Sequence, residues 1–235
     1  MDEEQDDRTP LERLGVLAAQ EVDVHPGLTH IELFTRQGLL TVLWHGPADS
    51  AGALVACGGA MGGLLGPAEG LYQFLGDELA GRGIGVLRVG WRVPNDIGLC
   101  TLDLAAVTEL ACRRGAEQVV TMGHSFGGAI AVRAAVLLPA VVAGVVTLAT
   151  QSAGCEVAEG MDGRPLLLLH GDSDEILPFT CSEMVRMIAG QGDLVVLPGS
   201  GHLLTQASSI LRHVLPDWIA GVLAGQSPAP VDITA

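Results

Sequence analysis

The sequence contains no lysine, so its basic side chains are all arginines. Lysine and arginine together number 12, aspartate and glutamate number 27, and the formal net charge at pH 7 is -15. A chain this acidic repels polyanions, which argues against nucleic acid as a partner.

Cysteine is also scarce, with five residues at wide spacing. The acidic start, MDEEQDDRTP, does not resemble an export signal, so we expect reduced thiols and a cytoplasmic location. Cys-x-x-Cys pairs and His-x-x-x-His spacings are lacking, and we therefore expect no metal ligands.

Long uninterrupted hydrophobic runs are missing although 49% of the residues are hydrophobic. The longest apolar stretch, residues 129–149, is broken by Arg133 and Pro139, which is typical of a helix followed by a strand rather than of a membrane span. We therefore expect no membrane association.

The length of 235 residues suits one sizeable domain. Residues 1–10 are predicted to be a disordered acidic terminus, and residues 226–235, which contain two prolines, a loose tail. The predicted domain is a single unit over residues 11–225.

Within this domain, short apolar runs alternate with helical patterns, which favours a mainly parallel sheet covered on both faces. The connection between the strands ending at Ala149 and starting at Leu166 is about 15 residues, too short for a cap domain. Strands are predicted at residues 31–36, 39–45, 53–57, 85–89, 118–122, 141–149, 166–169 and 194–197. Helices are predicted at residues 67–80, 97–114, 126–138, 181–189 and 203–223, with Pro216 a candidate break in the last.

One strand-to-helix junction carries the pattern Gly-x-Ser-x-Gly, at residues 123–127. A nucleophile on a sharp turn of this kind leaves little room beside it, so the residues two before and two after it must be tiny. Gly123 and Gly127 meet that need, and Ser125 stands at the start of the next helix, where free N–H groups favour an oxyanion. Ser125 is the candidate nucleophile.

A serine hydroxyl needs a base, and the chain has seven histidines. His202 follows the last predicted strand in a loop, Gly-Ser-Gly-His, from which an imidazole can reach across the carboxyl edge of the sheet. His124 is adjacent to Ser125, but its side chain is expected to point away from the mouth of the site. His202 is the candidate base.

The base needs a carboxylate to fix its tautomer, and two aspartates follow the strand at 166–169. Asp174 lies farther into the loop and is preferred, whereas Asp172 is the alternative, suited to bracing the turn. The chain order of Ser125, Asp174 and His202 is the one expected when a nucleophile stands on a strand-to-helix turn of an α/β sheet.

An oxyanion needs backbone donors, and two positions can supply them. One is the N–H of Phe126, directly after the nucleophile, and the other lies in the glycine-rich loop after residue 57. We expect Gly59 to be the second donor, with Ala60 as its neighbour if the register slips by one.

Three motifs together, GHSFGG at 123–128, LLLLHGDSDEILP at 166–178 and GSGH at 199–202, make the chain resemble the α/β-hydrolase superfamily, and within it the bacterial dienelactone-hydrolase-like group. The resemblance implies an α/β-hydrolase fold with an eight-stranded, mostly parallel sheet, a Ser-Asp-His triad and no cofactor. Two features differ from those relatives. Dienelactone hydrolases proper use a cysteine nucleophile where Ser125 stands, and many relatives have His-Gly where Cys57 and Gly58 stand.

The expected activity is therefore hydrolysis of small or medium carboxylic esters through an acyl-enzyme on Ser125. The alternatives are an acyl thioesterase, which needs the same machinery, and a ligand-binding protein on a hydrolase fold. Met61 and Trp91, on loops at the mouth, are the candidate substrate-binding residues. A small ester-type molecule is the expected partner, and the oligomeric state is left open.

Overall fold

The computed structural model describes residues 7–231 and Ile233. Its nine strands are β1 (Val16–His25), β2 (Leu28–Thr35), β3 (Gly38–His45), β4 (Gly52–Cys57), β5 (Gly85–Gly90), β6 (Gln118–His124), β7 (Val142–Leu148), β8 (Leu166–Gly171) and β9 (Asp193–Leu197). Its α-helices are α1 (Pro10–Leu14), α2 (Pro67–Ala80), α3 (Ile97–Arg113), α4 (Phe126–Leu137), α5 (Thr180–Ala189) and α6 (Ser208–Leu223).

All nine strands form one sheet in the order β1-β2-β3-β5-β4-β6-β7-β8-β9. The first three strands and β5 pair antiparallel, whereas β5, β4, β6, β7, β8 and β9 pair parallel. The crossovers between parallel strands run through α-helices, as the apolar runs and helical patterns predict, except for the connection from β7 to β8.

The central strands are buried on both faces, so their side chains alternate between two apolar clusters. Along β4, Val55 joins the cluster that contains Leu104 of α3 and Ile130 of α4, whereas Leu54 joins the cluster with Leu71 of α2 and Leu215 of α6. Each fully buried side chain of this size contributes about 1.5–3 kcal/mol to folding. Helices therefore cover both faces, and the site can form only where the strands end.

The sheet has one strand more than the eight expected. The additional strand, β1, is exposed along its whole length and pairs with β2 at the edge of the sheet. Residues 21–25 of β1 alternate polar and apolar side chains, but both faces of the strand are exposed, and β1 is not among the strands predicted from the sequence.

Both ends of the chain make specific contacts where the structure describes them. Thr9 caps α1 through a hydrogen bond from the N–H of Glu12 at 3.3 Å, and Val231 and Ile233 pack against the core. The predicted disorder of residues 1–6, and the tail positions 232, 234 and 235, lie outside the described residues. In α6, Pro216 stands inside a continuous helix.

No cap domain interrupts the sheet, since the connection from β7 to β8 holds only a short 3-10 helix, Ala158–Met161. Within the part of the chain that the structure describes, no helix is both long and apolar enough to cross a membrane.

Candidate active site

Four loops meet at the carboxyl edge of the parallel strands, where open α/β sheets place their sites. They follow β4, β6, β8 and β9, and they carry Gly59, Ser125, Asp174 and His202 respectively. Residues far apart in the chain are therefore brought to one place by the strand order.

Ser125 stands between β6 and α4 in a conformation that side chains rarely adopt, with φ 55° and ψ -118°. This strain is sustained by hydrogen bonds on both sides of the residue. The N–H of Ser125 donates to the oxygen of Leu148 at 2.8 Å, and its own oxygen accepts from the N–H of Gly128 at 3.0 Å. The turn at residues 123–127, called the elbow below, is therefore held in place by main-chain hydrogen bonds.

The glycines around Ser125 are required by close backbone contacts. A Cβ atom at Gly123 would overlap the carbonyl oxygen of Gly127, and one at Gly127 would overlap the carbonyl oxygen of Gly58. The expected need for tiny residues on both sides of Ser125 thus has a direct cause in the packing of the elbow.

Asp174 and His202 form a buried pair, in which Nδ1 of His202 lies 2.8 Å from Oδ2 of Asp174. The other oxygen of Asp174 accepts hydrogen bonds from the N–H groups of Ile176 and Leu177, both at 2.8 Å. Burial opposes ionisation of Asp174, but these N–H donors and the imidazole outweigh it, and the pKa of this carboxyl is lowered. The carboxylate form is therefore favoured.

Asp172 has a different environment from Asp174. One of its oxygens accepts from the N–H of Gly199 at 2.7 Å and from the hydroxyl of Ser173 at 3.0 Å. Of the two aspartates left open by the sequence, the structure places Asp174 against His202, whereas Asp172 braces the loop that leads to it.

A second imidazole, that of His170, also lies against Asp174. Its Nε2 is 3.2 Å from Oδ2 of Asp174 and donates to the oxygen of Leu177 at 3.0 Å, while Nδ1 faces the hydroxyl of Ser182 at 2.7 Å. Burial lowers the pKa of His170, so the ring is neutral near pH 7. His170 and His202 thus both lie against Oδ2 of Asp174.

The expected orientation of His124, away from the mouth, is wrong. Its ring lies 4.8 Å from the ring of His202, centroid to centroid, and its Nε2 is 3.0 Å from the main-chain oxygen of His202. Because a carbonyl oxygen only accepts, Nε2 carries the proton. Burial lowers the pKa of His124 to about 4, so the ring is neutral. The contact with the main chain of His202, 78 residues away in sequence, accounts for this orientation.

The main chain of His202 is held at its N–H as well as at its oxygen. The N–H donates to Oε2 of Glu175 at 3.1 Å, and His124 donates to the carbonyl. With Nδ1 facing Asp174, the imidazole is positioned by its ring and by both of its backbone groups. Neither Glu175 nor His124 was predicted for this role.

Ser125 and His202 line the same cleft, which has a volume of about 410 Å³. Gly59 faces them across it, since a Cβ at Gly59 would lie 3.6 Å from the Cβ of Ser125. Phe126 is the first residue of α4, where a helix leaves its N–H groups without intrahelical partners. Met61 stands at the rim with 90% of its surface exposed.

Trp91 does not line this cleft, contrary to its predicted contact with substrate. It is buried, and its indole N–H donates to the oxygen of Gly59 at 3.1 Å. The N–H of Gly62 donates to the same oxygen at 2.9 Å. Because indole N–H groups seek a partner when buried, Trp91 serves to hold the loop that faces Ser125.

The five cysteines are all free thiols, and Cys57 lies closest to the elbow. Its Sγ is 3.4 Å from the oxygen of Gly127, and burial raises the pKa of its thiol well above the ordinary value. A thiol in this state is a poor nucleophile. Over residues 7–231 and Ile233, no group of three or more His, Cys, Asp or Glu side chains is arranged to hold a metal ion.

The arrangement supplies the parts that acyl transfer needs. With Nδ1 of His202 facing Asp174, Nε2 is the ring atom left to accept a proton. The strained Ser125 presents a hydroxyl in the same cleft, and the amino end of α4 favours negative charge beside it.

Solved structures of hydrolases resemble this fold. Est1E from Butyrivibrio proteoclasticus aligns with a TM-score of 0.67 and 16% sequence identity, over 83% of this chain and 99% of that chain. A dienelactone hydrolase from Anabaena variabilis aligns with a TM-score of 0.68 and 19% identity, over 86% of this chain and 97% of that chain. A thioesterase domain from the curacin biosynthetic pathway aligns with a TM-score of 0.61 and 13% identity, over 86% and 99% of the two chains.

No protein-family model matches the sequence, and no curated protein matches it. The chain has the α/β-hydrolase fold, as the resemblance in sequence implied.

Proposed function

We propose that the protein is a serine hydrolase that cleaves small or medium carboxylic esters through an acyl-enzyme on Ser125. The observation that carries this proposal is the 2.8 Å contact between Nδ1 of His202 and Asp174, in a cleft that His202 shares with Ser125. Esterase, lipase and dienelactone hydrolase structures share the fold, which supports the same class of chemistry.

In the proposed reaction, Nε2 of His202 takes the hydroxyl proton of Ser125 while Oγ attacks the ester carbonyl. Asp174 stays ionised and stabilises the imidazolium. The N–H groups of Phe126 and Gly59 receive the oxyanion of the tetrahedral intermediate. His202 then gives its proton to the leaving alcohol oxygen, and the C–O bond breaks to leave the acyl-enzyme.

Water completes the cycle in the second half of the reaction. His202 takes a proton from a water molecule, whose oxygen attacks the acyl carbon, and returns the proton to Oγ of Ser125 as the acid leaves. Each proton taken is given back, so the cycle needs no cofactor.

Thioesters are the alternative substrates, because the same groups act on them and a thioesterase domain shares the fold. Dienelactone is not proposed as the substrate, since Ser125 stands where those enzymes use cysteine.

Ester hydrolysis by wild-type protein and by Ser125→Ala tests the proposal, with p-nitrophenyl esters and acyl thioesters measured in parallel. Ser227→Ala, at an exposed position of the tail, is the matched control. We expect wild type and Ser227→Ala to hydrolyse esters alike and Ser125→Ala to lose activity by at least about 10³-fold. Equal activity in Ser125→Ala, or a folded wild type without activity on any ester or thioester, contradicts the proposal and favours a ligand-binding role.

A further inference from the structure

A second depression, larger than the cleft, lies directly beside it. It has a volume of about 720 Å³ and shares Gly66, Pro67 and Leu203 with the cleft that contains Ser125. We call this depression the side groove. The shared residues place the two spaces side by side, within reach of one extended molecule.

Apolar side chains form much of the side groove. Leu65 and Leu203 are 62% and 59% exposed, and Phe74 and Pro67 complete the apolar lining. Large exposed leucines cost free energy unless something covers them, and a contiguous apolar surface next to a reactive serine is typical of a substrate site.

The floor of the side groove is built from a strained turn. Ala68, Glu69 and Gly70 have φ angles of 51°, 57° and 83°, which form a short left-handed turn at the start of α2. Left-handed conformations cost roughly 1–2 kcal/mol for each residue other than glycine. Strain of this kind persists only where surrounding contacts impose it, and it gathers at ligand sites.

Contacts from the chain after His202 impose this turn. The N–H of Ala68 donates to the oxygen of Leu203 at 2.8 Å, and the hydroxyl of Ser208 donates to the oxygen of Ala68 at 3.2 Å. The guanidinium of Arg212 donates to the oxygen of Glu69 at 2.8 Å. These hydrogen bonds connect the start of α2 to the chain after His202, which form two sides of the side groove. The groove is therefore preformed.

The position of the side groove decides which part of an ester it faces. In the proposed reaction His202 protonates the leaving oxygen, so the alcohol portion of the substrate must lie on the His202 side of the scissile bond. Leu203, the next residue, is part of both the cleft and the side groove. Because Leu203 directly follows His202, we assign the groove to the leaving-group side.

The charges around the side groove exclude some leaving groups. Its lining includes the carboxylates of Glu69 and Asp77 and one guanidinium, that of Arg212. Arg212 donates one hydrogen bond to the oxygen of Glu69, and its central carbon lies 5.1 Å from the ring centre of Phe74, whereas its buried Nε has no hydrogen-bond partner among the described residues. With a net charge of -15 on the whole chain, a strongly anionic leaving group such as coenzyme A is repelled.

From this geometry we infer that the side groove binds the alcohol portion of the ester, and that this alcohol is an uncharged chain of several carbons. The inference rests on the proposed function, because it uses the proton transfer by His202 to orient the substrate. It names the substrate class as esters of apolar, medium-chain alcohols.

Two series of esters with equal carbon numbers test this inference on the wild-type protein. One lengthens the alcohol, from methyl to butyl to octyl acetate, and the other lengthens the acid, from methyl acetate to methyl pentanoate to methyl nonanoate, with acid release followed by titration. Burial of one methylene raises kcat/KM up to about fourfold. We expect kcat/KM to rise steeply with alcohol length and less with acyl length.

A variant that fills the side groove distinguishes binding of the alcohol chain in the groove from an effect of substrate hydrophobicity alone. Gln73 lines the groove and hydrogen-bonds only Asp77 through its side chain among the described contacts, so Gln73→Trp adds bulk where the chain is to lie. Gln73→Ala loses the same hydrogen bonds without adding bulk and is the matched control. Gln73→Trp should lose the gain in kcat/KM from butyl to octyl acetate, about tenfold or more, relative to Gln73→Ala.

The inference is overturned if acyl length rather than alcohol length controls kcat/KM, or if Gln73→Trp and Gln73→Ala treat octyl acetate alike. Failure of the proposed function has a different signature. In that case no member of either series is hydrolysed, methyl acetate and p-nitrophenyl acetate included.

Discussion

Nε2 of His124 lies 3.0 Å from the main-chain oxygen of His202. This contact joins the residue before Ser125 to the loop that carries the proposed base, so the two halves of the site are connected through a neutral imidazole. The contact involves no side chain of the proposed triad, yet it sets the distance between the elbow and the loop after β9.

Replacing His124 by phenylalanine keeps a ring and removes the N–H donor. We expect kcat on p-nitrophenyl esters to fall about tenfold, the equivalent of one ordinary hydrogen bond, with little change in KM. Steady-state kinetics check this. Unchanged kcat in a folded His124→Phe variant would show that the contact does not position His202.

The same variant should change the response of stability to acid. The pKa of His124 is about 4 in the folded protein against an ordinary 6.5, so the unfolded chain binds a proton that the folded one does not. The contribution of His124 to the free energy of unfolding is therefore fully present above pH 6.5. It falls by roughly 2–3 kcal/mol as the pH decreases towards 4. Urea unfolding across this range should show a shallower decline in His124→Phe, and parallel curves would contradict the assignment.

The two aspartates after β8 should respond differently to the same substitution. In Asp174→Asn the amide faces Nδ1 of His202 and moves the ring proton to Nε2, where it blocks acceptance from Ser125. We expect kcat to fall about 10³- to 10⁴-fold with the fold retained. Asp172→Asn keeps an oxygen for the N–H of Gly199 and should stay within a few-fold of wild type. Equal losses in the two variants would remove the basis for choosing Asp174.

A methyl group at the elbow should disrupt the fold. Gly123→Ala places its Cβ on the carbonyl oxygen of Gly127, and backbone atoms cannot move aside, so we expect a loss of about 3–5 kcal/mol in the free energy of unfolding. Gly98→Ala, in α3, meets only the side-chain oxygen of Asp96 at 3.5 Å and should be neutral or stabilising. Denaturant titration compares the two. A Gly123→Ala variant as stable as Gly98→Ala would contradict the packing described for the elbow.

Trp91→Phe removes the hydrogen bond to the oxygen of Gly59 while keeping an aromatic ring. If Trp91 holds the oxyanion loop, kcat should fall about tenfold and KM should change little. A rise in KM at constant kcat would instead indicate direct contact between Trp91 and substrate.

Most of the fold follows from the sequence because buried parallel strands are continuous apolar runs between helical patterns. The runs at β4, β6 and β8 lie where they were predicted. The exception is β1, whose ten residues are exposed, so its position depends on pairing with β2 and not on a buried face. The left-handed start of α2 also escaped prediction, since contacts from Leu203 and Arg212, distant in sequence, impose it.

Only part of the candidate active site could be predicted from the sequence. The Gly-x-Ser-x-Gly pattern identified Ser125 as the candidate nucleophile, and the order of residues along the chain favoured His202 and Asp174. The choice of Asp174 over Asp172 depends on a loop conformation that motif spacing does not fix. The orientations of His124 and Trp91 depend on tertiary partners, His202 and Gly59.

The most direct test of the account is labelling with a fluorophosphonate, which reacts with an activated serine, followed by peptide mass analysis. Wild-type protein should carry the probe on Ser125, and labelling should be lost in Ser125→Ala and His202→Ala while Ser227→Ala is labelled like wild type. Folded wild-type protein that remains unlabelled, or a label on another residue, would contradict the claim that Ser125 is an activated nucleophile.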